Sequence, residues 1–203
     1  MKSTKNILLV FVIITLLFSF QRRLRDINRP YGRPWESGYQ EYLALNHLRY
    51  GLKATKGLIV MGKRDGQLLR RFNHPPLIQL ILAGLFRVFG VKEWAARLLP
   101  ITSSSLSLLF IYLIAKGLFN QQVALLSVCF ASLMPMFNFF GQIVNFEATT
   151  LMFCLVYLWG YINLKRDNNS TKVILSFYLG GIFATLSDWP GFILIGFITI
   201  LSI

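Results

Sequence analysis

The chain has 203 residues, of which 55% are hydrophobic and 15% aromatic, with only 14% charged; this composition excludes an ordinary soluble domain and points to a membrane protein. The net charge of +13 is a local property, because fourteen of the twenty-one Lys and Arg residues lie between Lys2 and Arg71. A basic excess suits nucleic acid, anionic lipid or a phosphorylated substrate. Nucleic acid fits worst, since the charge sits in a loop hemmed in by apolar segments and no recognised nucleic-acid motif is present.

In chain order, the first apolar run is Ile7 to Phe20, flanked by Lys2, Lys5 and the segment Gln21-Arg22-Arg23-Leu24-Arg25. No small-x-small cleavage site follows it, which predicts an uncleaved anchor rather than a signal peptide. The run is short for a span of about 20 residues, a deficit that snorkelling Arg and Lys side chains can cover. From Gln21 to Asn73 the chain is polar, basic and broken by Pro and Gly, as expected of a long functional loop. Within it, Tyr42, Leu45 and Leu48 recur at helical spacing and predict a helix over Gly38 to Tyr50. Asp65-Gly66 predicts a tight turn or hairpin around Ile59 to Leu69.

Further apolar runs cover Leu77 to Phe89, Leu98 to Phe119, Val123 to Phe140, Ala148 to Leu164, Val173 to Leu186 and Gly191 to Ile203. Backbone groups in hydrocarbon must be satisfied within the segment, so these runs are predicted as helices. The expected fold class is therefore an all-α integral membrane protein, a multi-span helical bundle. Its regions are an anchor over residues 1–20, a first extracytoplasmic loop with short interfacial helices over 21–97, and a bundle over 98–203. The last run stops at Ile203 without flanking charge or cap, which reads as a C-terminal truncation.

Leu77 to Phe89 is ambiguous, because its thirteen residues cover roughly 20 Å of a hydrocarbon layer about 30 Å thick. If it lies in the interface, and the first helix starts inside, then Lys116, Lys165, Arg166 and Lys172 face the cytoplasm. Glu147 and Asp188 then share the outer side with the basic loop. A cationic external loop needs a reason, and an anionic lipid headgroup supplies one. On this topology the sequons at Asn168 and Asn169 are cytoplasmic.

Cys129 and Cys154 sit inside apolar runs and read as small buried hydrophobes. His47 and His74 have no second ligand at metal-binding spacing, so neither a metal site nor a cofactor is expected.

Three constellations remain: Trp35-Glu36-Ser37-Gly38-Tyr39 with the helix that follows, Asn73-His74-Pro75-Pro76-Leu77, and Glu93-Trp94-Ala95-Ala96-Arg97-Leu98-Leu99-Pro100. Pro75 holds His74 extended and Pro76 suits a first helical turn, where a missing N–H costs nothing. A helix start at a membrane surface near Arg and Lys is a phosphate site in physical terms; it is equally a plain helix beginning. Charge is costly near a bilayer, which makes Glu147 and Asp188 candidates for a site lining, although helix ends also reach water. Trp189 reads as an interfacial anchor, and Arg70 and Arg71 as solvated or headgroup-contacting cations.

In order and spacing, Glu36, Gly51, His74-Pro75-Pro76-Leu77 and Phe89 to Pro100 resemble the GT-C superfamily of membrane glycosyltransferases. The resemblance is to the branch holding bacterial aminoarabinose transferases and dolichyl-phosphate-mannose-protein mannosyltransferases. It implies transfer of a sugar from a polyprenyl-phosphate donor to a lipid, glycan or protein acceptor, at the outer face of the plasma (bacterial inner) membrane. Displacing a polyprenyl phosphate needs a base for the incoming hydroxyl and cations for the departing anion. By resemblance Glu36 is the base, standing as Glu-Ser where the family more often has Asp-Glu, with Glu41 second in line. Arg97 is the first phosphate contact implied and His74 the next; for Arg97 the alternative is an ordinary snorkelling residue. Two other classes compete: a transporter or channel fragment, disfavoured because no charge falls mid-helix, and a non-catalytic membrane scaffold.

Overall fold

The computed structural model describes residues 2–25, 27–28 and 37–202. Among them are ten helices and one two-stranded hairpin. The anchor α1 spans Lys2–Leu24, longer than its apolar run because the flanking polar residues continue the helix. In the loop region come α2 (Ser37–Tyr50), the single turn α3 (Leu52–Thr55), strands β1 (Ile59–Arg64) and β2 (Gln67–Arg71), and α4 (Leu77–Phe89). The bundle continues with α5 (Glu93–Leu118), α6 (Gln121–Leu133), α7 (Pro135–Phe140), α8 (Phe146–Leu164), α9 (Thr171–Ser187) and α10 (Trp189–Ser202). The fold is an all-α membrane bundle, as expected. By length and composition, α5 alone among the described helices is long and apolar enough to cross a bilayer unaided; α4, α6, α9 and α10 are shorter apolar helices.

Two expectations change. The run Val123 to Phe140 is two helices, because Pro135 cannot continue α6 and Met134 ahead of it is held extended at ψ 124°. The helix predicted from Leu98 begins at Glu93, so that Arg97 lies inside the first turns of α5.

The hairpin forms as predicted: Asp65 and Gly66 both take positive φ, 48° and 82°, the backbone of a two-residue primed turn. It hangs on α2 through Asn46 Nδ2, which donates to the Val60 carbonyl at 2.8 Å, and the Tyr42 hydroxyl, which donates to the Met61 carbonyl at 2.9 Å. On α4, Ile78, Leu82, Ala83 and Phe86 form one buried stripe at helical spacing. They pack with Ala44 of α2 and Ala95, Ala96 and Leu99 of α5. Burying each of the larger side chains stabilises this layer by about 2 kcal/mol.

Both ends of α4 lie at the same end of the bundle. Before it, the Asn73 carbonyl accepts from Trp189 Nε1 at the start of α10; after it, Phe89 packs on Trp94 in the first turn of α5. The opposite end carries Lys116 and Arg166, where an Arg166 Nη1 donates to the Gly117 carbonyl at 2.7 Å. Helix α1 runs parallel to α6, with Val12 against Leu125 and Val128 and the Ser19 hydroxyl donating to Asn138 Oδ1. Its Lys2 end is therefore the Lys116 end. Near the other end of α1, the buried Arg23 guanidinium donates to the Ser19 and Ser104 hydroxyls, both at 2.7 Å, and lies over the Phe137 ring. Helices α9 and α10 meet so closely that a Cβ at Gly191 would lie 2.2 Å from the Ala184 carbonyl oxygen, which explains glycine there.

Candidate functional site

The loop layer and the tops of α8, α9 and α10 converge on His74. Its Nδ1 lies 2.9 Å from Asp188 Oδ1. A carboxylate only accepts, so Nδ1 carries the hydrogen and Nε2 is left as the free ring nitrogen. The imidazole stacks on Phe146 at 4.7 Å between centroids and 18° between planes. Pro76 stands at the N-cap of α4 rather than inside its first turn, which leaves His74 in the bend before the helix. Trp189, expected as an interfacial anchor, also pins the Asn73 carbonyl beside His74.

Arg71, at the end of β2, is ordered in the same way. Its Nη1 donates to the Tyr39 hydroxyl at 2.7 Å, its Nε donates to Asn73 Oδ1, and the guanidinium lies over the Tyr39 ring. A chain of amides completes the group. Gln79 Nε2 donates to Gln40 Oε1 at 2.6 Å, Gln40 Nε2 to Asn145 Oδ1 at 3.4 Å, and Asn145 Nδ2 to Glu147 Oε1 at 3.2 Å.

Two hollows open on this group. A cavity of about 460 Å³ is lined by Tyr39, Gln40, Leu43, Ile59, Met61, Arg71, His74, Gln79 and Phe146. A cleft of about 230 Å³ is bordered by Leu58, Phe72, Pro75, Pro76, Trp189 and Phe192. Ile59, Arg71 and His74 line both hollows.

Of the residues singled out from sequence, His74, Asp188 and Glu147 belong to this cluster. Arg97 and Glu41 form a second one. Arg97 is 1% exposed and its Nε donates to Glu93 Oε1 at 2.8 Å, one turn earlier on α5. Glu41 Oε1 is buried without a hydrogen-bond partner among the described residues. Burial pushes the Glu41 carboxyl up to about 7; the Glu93 charge adds to the rise and the Arg97 charge opposes it. Adjacent residues of α2, Gln40 and Glu41, thus serve different clusters. Glu36 lies outside the described residues. Among those described, no three His, Cys, Asp or Glu side chains converge to hold a metal ion.

Sequence reasoning missed Gln40, Gln79 and Asn145, named Tyr39 only within a motif, and left Arg71 among the general loop cations. Gln79 carried a signal, being a lone amide in the apolar run Leu77-Ile78-Gln79-Leu80-Ile81-Leu82 directly after His-Pro-Pro. Arg71 carried none, since nothing separates it from the other loop cations until the hairpin register places it.

The fold is similar to the crystal structure of ArnT from Cupriavidus metallidurans in the apo state, with a TM-score of 0.69 at 18% identity. The likeness covers 98% of this chain and 36% of that one, so this chain spans about a third of that protein. No match is found among curated proteins. Residues 73–201, from the residue before His74 through α10, match the dolichyl-phosphate-mannose-protein mannosyltransferase family. With most of its length inside that match and the GT-C membrane glycosyltransferase fold around it, the chain belongs to the dolichyl-phosphate-mannose-protein mannosyltransferase family.

Proposed function

We propose that the chain transfers a sugar from a polyprenyl-phosphate donor to a lipid, glycan or protein acceptor at the outer face of the plasma membrane. The observation that carries this reading is the position of Arg71 and His74 between two hollows of different character. One hollow presents the Tyr39 hydroxyl and the Gln40 and Gln79 amides, groups that can bond a sugar. The other is largely apolar, as the first isoprenoid units require. A phosphate joins those two parts of the donor, and the Arg71 guanidinium and His74 imidazole, which border both hollows, support that reading. Arg71 keeps Nη2 unclaimed among the described residues, and His74 keeps Nε2.

In this reaction the acceptor oxygen forms a bond to the anomeric carbon while the bond from that carbon to the phosphate oxygen breaks. The electron pair leaves with the polyprenyl phosphate, whose charge Arg71 offsets, joined by His74 when its Nε2 also carries a proton. The acceptor proton passes to a carboxylate. Glu36 is the residue the family resemblance offers; Glu41 is the described alternative, lining neither hollow but carrying a carboxyl near 7 that matches a base working at neutral pH. Arg97, already committed to Glu93, positions that carboxylate cluster. The lysine-bearing end faces the cytoplasm on this reading, in keeping with the positive-inside rule.

The test is transfer by the chain in membranes supplied with radiolabelled polyprenyl-phosphate sugars. Incorporation into acceptor is expected, with Arg71→Gln and His74→Gln each lowering the rate at least about tenfold. Absence of incorporation from every donor, or full activity in both variants, overturns the proposal.

A further inference from the structure

The amide chain has a direction that the atoms themselves impose. Glu147 is a carboxylate and only accepts, so Asn145 must turn its Nδ2 toward it. That leaves Asn145 Oδ1 for Gln40 Nε2, and Gln40 Oε1 for Gln79 Nε2. One end of the series is thereby fixed as a lone acceptor, Gln79 Oε1. This atom is buried and has no hydrogen-bond partner among the described residues, on a side chain that is 0% exposed and lines the larger cavity.

Leaving an amide oxygen buried and unbonded is costly, whereas a bound O–H would satisfy it. The cost is sustained here on the wall of a cavity that also presents the Tyr39 hydroxyl and the Phe146 ring. We infer that Gln79 Oε1 is a fixed acceptor for one hydroxyl of the transferred sugar, held in that polarity by the Gln40–Asn145–Glu147 relay. The inference rests on the donor reading above and adds the part of the donor that is discriminated. A site built to bond a hydroxyl rejects the analogue lacking it, because the buried oxygen is then left unpaired. The relay thus makes the site selective for donors bearing a hydroxyl at one ring position.

The experiment measures binding, which needs no turnover. The chain in lipid nanodiscs is titrated with neryl phosphate esters of mannose, glucose and galactose and their monodeoxy derivatives, read by thermal shift. For at least one parent sugar, one deoxy derivative is expected to bind about tenfold more weakly. Gln79→Met, with a similar melting temperature, should bind parent and deoxy compound alike. Glu147→Gln keeps the shape of the last acceptor but lets the amides turn over, and should cut the discrimination at least about threefold; it serves if Gln79→Met does not fold. Equal binding of parents and deoxy derivatives by the unaltered chain overturns the inference. So does discrimination that persists in a folded Gln79→Met or in Glu147→Gln, and so does failure of all the esters to bind. Discriminating binding without transfer in the membrane assay would leave the relay standing and remove the transferase reading. Transfer without discrimination would do the reverse.

Discussion

His74 and Asp188 are 114 positions apart in the chain, and their Nδ1–Oδ1 distance of 2.9 Å closes the loop layer onto the hinge between α9 and α10. With Trp189 holding the Asn73 carbonyl, the segment before α4 is fastened at two successive residues by two successive residues. The pair is partly exposed, its side chains 28% and 19% accessible, so its direct worth to stability is about 1 kcal/mol or less. Its main effect is to fix the ring and leave Nε2 unclaimed, which on the proposed reading serves the donor phosphate. Asp188→Asn is therefore expected to lower transfer at least about tenfold while shifting the melting temperature by only a few degrees. Parallel transfer assays and detergent melts would check this; a large loss of stability with unchanged specific activity would make the pair structural.

Glu41 gives a pH signature with a defined sign. Its carboxyl, at 4.5 when unperturbed, is held up to about 7 in the fold. Between those values the unfolded chain binds fewer protons than the native one, so stability falls as pH rises. The contribution from the protonated carboxyl is complete below the lower value and is lost through the upper one. Glu41→Gln cannot ionise, so its melting temperature should change less over that window and exceed that of the unaltered chain at pH 8. Melts at closely spaced pH values distinguish this from a constant offset, which would sink the assignment.

Much of the scaffold was readable because it follows from local rules. The apolar runs gave the helices, Asp65-Gly66 gave the hairpin, and the thirteen residues of α4 proved too few to be placed as a span. The break at Met134-Pro135 was also written in the sequence, yet the apolar run across it masked the proline. Asp188 and Glu147 stood out because charge beside a bilayer is costly, and His74 because His-Pro-Pro opens a helix. Their grouping was not readable, since it depends on the ends of α8 and α9 meeting the loop. The amide relay was beyond sequence reasoning for a different reason. Gln40, Gln79 and Asn145 are ordinary residues singly, and only their buried, directional contact makes them a device.

Arg97 separates a structural cation from a substrate contact. It is buried against Glu93 and does not line the cavity of Arg71 and His74. Removing one partner of a buried ion pair costs about 3–5 kcal/mol, so Arg97→Met should lower stability on that scale. Because the Arg97 charge opposes the rise at Glu41, the same variant should push the Glu41 titration still higher. Glu93→Gln should move it the other way, since the Glu93 charge supports the rise. Opposite displacements in the pH dependence of melting would identify the cluster as one electrostatic unit; no displacement in either variant would show that Glu41 is insulated from both.

The two ends of the bundle make a prediction about sidedness. Arg64, at the hairpin tip, belongs to the end that carries His74 and Asp188, while Asn168 follows α8 at the end where Arg166 bonds Gly117. Cysteines introduced at these two positions, with Cys129 and Cys154 replaced by Ala, should react with an impermeant maleimide from opposite sides of the membrane. The positive-inside rule further requires that Asn168→Cys be the one reached only after the vesicles are opened to the cytoplasmic side. Labelling of both from one side would mean that α4 crosses the bilayer after all. That would force His74 and the start of α5 to opposite faces, which the contacts of Asn73 with Trp189 and of Phe89 with Trp94 do not permit together. A reversed but still opposite pattern would keep the bundle and put the proposed donor site at the cytoplasmic face.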